Sequence, residues 1–85
     1  MPYKVDVRPS AMRALERLPR RDQERIEKRL AALETDLRPP GTVAIHGPER
    51  LLRVRVGDNR IIYSVDDARQ TVFVERIANR REAYR

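Results

Sequence analysis

Three arginines are spaced so that their side chains meet on one side of a β-hairpin. Arg53 and Arg55 alternate with Leu52, Val54 and Val56, and Arg60 opens the returning run Arg60-Ile61-Ile62-Tyr63-Ser64-Val65. Guanidinium groups stay charged at any physiological pH and grip phosphate as planar bidentate forks. A cluster of them is chemistry for holding a phosphodiester and for stabilising charge that develops on one. Near the C-terminus Arg80, Arg81 and Arg85 gather around Tyr84. Cations for the backbone and a ring for a base are the footprint of a single-stranded RNA or phosphate site.

Composition points the same way. Basic residues outnumber acidic ones 19 to 13 for a formal charge of +6, and only Lys4 and Lys28 are lysine. The single histidine, His46, and the absence of cysteine leave no thiolate or multi-histidine metal site and no cysteine nucleophile. No cofactor is expected. Eighty-five residues suffice for one small domain, residues 1–85, with one modest core. No apolar stretch reaches membrane-spanning length and the N-terminus lacks a signal-peptide core, so a soluble, cytoplasmic protein is expected.

The elements that would hold these groups can be read from hydrophobic period. Tyr3, Val5 and Val7 alternate with polar residues as a strand with one buried face. Pro9 ends it, and Ser10 is the expected N-cap of a short helix carrying Ala11, Leu15 and Leu18. After Pro19 a second helix is expected from near Asp22, with Ile26, Leu30, Leu33 and Leu37 on one stripe. Its interleaved Glu24, Arg25, Glu27, Lys28 and Arg29 read as a solvated face with i,i+4 pairs. Pro39-Pro40-Gly41 breaks the helical period. Leu52–Val56, 60–65 and 71–77 then form a three-strand antiparallel meander. The fold class is α+β: an N-terminal strand, a helical hairpin and the meander, with the helices on one face of the sheet.

Register decides where the arginines go. Pairing Val56 with Ile61 across a four-residue loop puts Val54 opposite Tyr63 and Leu52 opposite Val65. All apolar residues then face the helices, while Arg53, Arg55 and Arg60 share the open face. A three-residue loop would instead bury Arg60. Gly57 is assigned to turn geometry, Tyr63 to the core and His46 to a surface loop.

With these residues in hand, the chain resembles the RelE/ParE superfamily of bacterial toxins, on its RelE-like side. The resemblance rests on Tyr3-Lys4-Val5, on residues 14–19 (Ala-Leu-Glu-Arg-Leu-Pro), on the segment from Leu52 to Tyr63, and on the closing Asn79-Arg80-Arg81-Glu82-Ala83-Tyr84-Arg85. It implies a toxin of a type II toxin–antitoxin system. The implied activity is a metal-independent, ribosome-dependent endoribonuclease that cleaves mRNA in the decoding site and leaves a 2′,3′-cyclic phosphate. The implied partners are mRNA on the ribosome and a cognate acidic antitoxin. By position, Arg60 would stabilise the pentacoordinate phosphorus and Arg80 the leaving 5′-oxygen. Tyr84 would stack on a base or accept a proton; Arg53, Arg55, Arg81 and Arg85 would bind RNA. Some relatives have lysine at positions 53 and 55 and histidine where Asn79 stands, so arginine here is electrostatic and no histidine proton role is implied.

Two other readings stay open at this level. One is a ParE-like protein that poisons DNA gyrase without nuclease chemistry; the other is an inactive relative that only binds an antitoxin. The fold is common to all of them.

Overall fold

A computed structural model describes residues 2–79. Strand β1 (Lys4–Val7) leads into helix α1 (Pro9–Glu16) and helix α2 (Arg20–Ala32). Four strands follow: β2 (Val43–Ala44), β3 (Leu52–Val56), β4 (Asn59–Asp66) and β5 (Thr71–Asn79). They form one sheet in the order β1-β5-β4-β3-β2, with β1 parallel to β5 and every other pair antiparallel. The α+β class, the helical hairpin and the meander are as the sequence implies. Edge strand β2 was not anticipated; it is two residues long, too short for period to reveal, and short edges resist unwanted pairing.

Helix boundaries shift for physical reasons. Ser10 is not the N-cap: α1 begins at Pro9, after Arg8, which makes no side-chain capping bond. Proline suits the first helical position because its missing N–H would be unsatisfied there in any case. Helix α2 starts two residues before Asp22, with the Pro19 carbonyl accepting from the N–H groups of Asp22 (2.9 Å) and Gln23 (3.0 Å). Asp22 lies in the first turn, where the helix dipole favours an anion. The helix does not run to Leu37. It closes at Leu33, and Glu34 and Thr35 donate to the carbonyls three residues back (both 3.2 Å), the tightened winding common at helix ends.

The core lies between the helices and one face of the sheet. Ala11 and Leu15 of α1 and Ile26 and Leu30 of α2 meet Val54, Ile61, Tyr63, Val72, Val74 and Ile77. Tyr63 is fully buried, as its assignment to the core requires, and its hydroxyl donates to the Leu37 carbonyl at 2.7 Å. That bond ties the segment after α2 to the central strand. Burial pushes the Tyr63 phenol above its ordinary pKa.

The β3–β4 register is two residues from the expected one. Val56 pairs with Asn59, Arg55 with Arg60, Val54 with Ile61, Arg53 with Ile62 and Leu52 with Tyr63. The loop is therefore only Gly57-Asp58, and Gly57 supplies the positive φ (+61°) that tight hairpin turns require. A shift of two preserves every side chain's face, so the apolar row still meets the helices. It also draws Arg60 out of the loop and into the ladder. Asn59 becomes a buried polar residue, its Oδ1 accepting from Asn79 Nδ2 at 3.3 Å.

Candidate nucleic-acid interface

The open face of the sheet is set by β3, β4 and β5. One row across it reads Arg53, Ile62, Arg76; the next reads Arg55, Arg60, Ala78. Residues directly opposite on adjacent strands have Cβ atoms about 4.5–5.5 Å apart. Four arginines thus share these two rows with Ile62 and Ala78. Arg55 and Arg76 are exposed, Arg53 and Arg60 half-buried. Arg55 is steered by its own turn, its Nε donating to the Gly57 carbonyl at 2.9 Å. Among the described residues Arg53, Arg55 and Arg76 form no salt bridge. The nearby Glu75 is committed to Arg8 (3.5 Å), whose guanidinium lies 4.7 Å from the centre of the Phe73 ring.

Arg76 is a member of this cluster that the sequence reading missed. It joins because β5 carries a bulge. Tyr63 pairs with Val74 but Ile62 pairs with Arg76, leaving Glu75 as an extra residue. Without that bulge Arg76 would point with Val72 and Val74 into the core. The signal was present: Val72, Val74 and Ile77 break strict alternation, and only an inserted residue keeps all three buried.

Arg53, Arg55 and Arg60 are therefore brought together as expected. Arg80, Arg81, Tyr84 and Arg85 lie outside the described residues. The last described residue, Asn79, pairs with Asn59, the neighbour of Arg60 in β4. His46 is exposed, beside Arg38, Arg50 and Asp67 around a cleft of about 370 Å³ near β2. Among the described residues no group of His, Cys, Asp and Glu side chains could hold a metal ion. No described helix is long and apolar enough to cross a membrane.

The chain belongs to the ParE toxin family of type II toxin–antitoxin systems, whose model matches residues 5–84. It is a toxin of the RelE/ParE superfamily. Among solved structures, the chain is similar to the toxin of the archaeal RelE–RelB complex of Pyrococcus horikoshii OT3. That match has 27% identity and a TM-score of 0.84, covering 94% of this chain and 97% of that one. The RelBE2 toxin–antitoxin complex of Mycobacterium tuberculosis matches at 24% identity and TM-score 0.82, over 94% of this chain and 100% of that one. A mutant of E. coli toxin RelE in the free state shares the fold at 22% identity and TM-score 0.75, over 99% and 90% of the two chains. Comparison with curated proteins returns no significant match.

Proposed function

We propose that this toxin is a ribosome-dependent endoribonuclease that cleaves mRNA without a metal. The observation that carries the reading is the direct pairing of Arg55 with Arg60 on an open face that also holds Arg53 and Arg76. Guanidinium groups gathered on one open face suit a phosphodiester, which each can hold as a bidentate fork. In the proposed reaction the 2′-hydroxyl passes its proton to a phosphate oxygen as its oxygen bonds to the adjacent phosphorus, and the bond to the 5′-oxygen breaks, that oxygen taking up a proton to leave a 2′,3′-cyclic phosphate and a 5′-hydroxyl. Arg60 stabilises the charge added to the phosphoryl oxygens, and Arg80 stabilises the departing 5′-oxygen. Arg53, Arg55, Arg81 and Arg85 bind RNA. Tyr84 stacks on a flanking base. An acidic antitoxin neutralises the toxin by covering the arginine face, in line with the solved relatives in complex with antitoxins.

The match to the ParE family model favours a second reading, a gyrase poison without nuclease chemistry. A gyrase binder has no need of a reactive arginine array with a tyrosine, which is why the nuclease is preferred. Primer extension on mRNA in a translating extract, run beside a gyrase supercoiling assay, separates the two. Discrete cuts within ribosome-bound message support the proposal; inhibited supercoiling with intact message overturns it.

A further inference from the structure

Charge on α2 is sorted rather than mixed. Arg25, Lys28 and Arg29 stand at i, i+3 and i+4, so they occupy one stripe, while Arg20, Gln23, Glu24 and Glu27 occupy another. The expected mesh of i,i+4 pairs reduces within this helix to Arg20–Glu24 at 3.5 Å. Among the described residues Arg25, Lys28 and Arg29 form no salt bridge. They instead line, with Ala32, Arg55, Val56 and Gly57, an open cleft of about 400 Å³ between α2 and the β3–β4 turn. No carboxylate lines it.

Two features make this cleft more than a basic surface. Gly57 leaves space that the Arg25 guanidinium takes up: a Cβ there would lie 2.9 Å from Arg25 Nη1. The helix cation is thus seated against the turn of the hairpin. Arg55, in turn, both lines the cleft and pairs with Arg60 on the open face. Arg55 thus belongs both to the open sheet face and to the cleft, with the exposed Asp58 in the turn beside them.

We propose that this cleft is a second RNA-binding site, which holds backbone phosphates of the strand whose reacting phosphate lies at Arg60. The inference rests on the nuclease reading for what the strand is, but the cleft's affinity for RNA is separable from cleavage. Cations from two elements, without aromatic rings or neutralising acids, recognise a chain of phosphates and not bases, so binding is sequence-independent. An acidic peptide offers the same charge; a flexible polyanion threaded past Arg55 fits that shared position better, because each arginine can take a phosphate as a bidentate fork.

The test is fluorescence anisotropy of the full chain with a labelled single-stranded oligoribonucleotide, fully 2′-O-methylated so that it cannot be cleaved. Wild type is compared with the triple variant Arg25→Gln, Lys28→Gln, Arg29→Gln. A control variant, Arg13→Gln, Arg17→Gln, Arg21→Gln, removes equal charge elsewhere; five of the six positions lie on the helices, Arg17 directly follows α1, and none belongs to the core. Releasing about three phosphate contacts should flatten the slope of log affinity against log salt by about 2 and weaken binding on the order of 10- to 100-fold at 0.1 M salt. The control should change much less. Equal losses in the two variants, or an unchanged isotherm in the cleft variant, overturn the proposal. So does a cleft variant that loses affinity for poly-L-glutamate while keeping it for RNA, which would assign the cleft to an acidic protein. A wild type that binds the oligoribonucleotide through the cleft yet cuts no message on ribosomes retains the site and removes the nuclease.

Discussion

Arg55 and Arg60 face one another as a directly paired couple across the β3–β4 hairpin, with only Gly57 and Asp58 in the turn that separates their strands. Both residues lie on the face opposite the core, and the Nε of Arg55 donates to the Gly57 carbonyl at 2.9 Å.

Arg60→Ala and Arg80→Ala are each expected to lose about 10²–10³ in cleavage rate on programmed ribosomes, the typical consequence of deleting one transition-state donor. For Arg60→Ala, the far-UV spectrum should match wild type and the melting temperature should lie close to it, because the side chain contributes nothing to the apolar core. Full toxicity of both variants in cells would remove these residues from the chemistry.

Tyr84→Phe keeps the ring and deletes the hydroxyl. As a stacking platform the residue should leave single-turnover cleavage within a few-fold of wild type. A loss of about 10² or more at unchanged ribosome affinity would instead make the hydroxyl the proton acceptor.

Tyr63→Phe should destabilise the fold without touching the open face. It leaves the partly buried carbonyl of Leu37 without its donor, a loss of about 1–2 kcal/mol. In a domain of this size that lowers the melting temperature by roughly 5–15 °C, which thermal denaturation followed by circular dichroism would show.

Stability should also fall at alkaline pH. The Tyr63 phenol is raised by burial, and the Tyr3 phenol chiefly by its 2.6 Å hydrogen bond to Asp67. In both, the folded state holds the proton more tightly than the unfolded chain. Their contribution is complete below the ordinary tyrosine pKa of about 10 and disappears as pH rises through the raised folded values. Denaturant titrations from neutral pH upward should show this decline, and Tyr63→Phe should flatten it.

Gly57→Ala tests the turn. The positive φ of this residue strains any side chain, and the added carbon meets the Arg25 guanidinium. A destabilisation of about 1 kcal/mol or more is expected, read as a lower denaturant midpoint at unchanged slope.

The alternation of Leu52, Val54 and Val56 with Arg53 and Arg55 by itself determined which residues enter the core and which face of the sheet is basic. A strand has a period of two, so burial of the apolar set forces the arginines to the other side whichever even-numbered loop closes the hairpin. Prolines 9 and 19 marked the breaks around the helices, but the starts expected at Ser10 and near Asp22 fall at Pro9 and Arg20, because a proline is accepted at or just before the first turn of a helix. The tertiary structure decided what local pattern cannot encode. It chose the two-residue loop over the four-residue one, which preserves the faces but changes every partner, and so set Arg60 opposite Arg55. It placed the bulge at Glu75 that turns Arg76 outward, because the core needed Val74 and Ile77 on the same side. It stopped α2 at Ala32, letting Leu37 leave the helical stripe and meet Tyr63. And it seated α2 beside the hairpin turn, bringing Arg25 to Gly57, a contact between residues 32 positions apart that only the packing of a helix on a sheet could make.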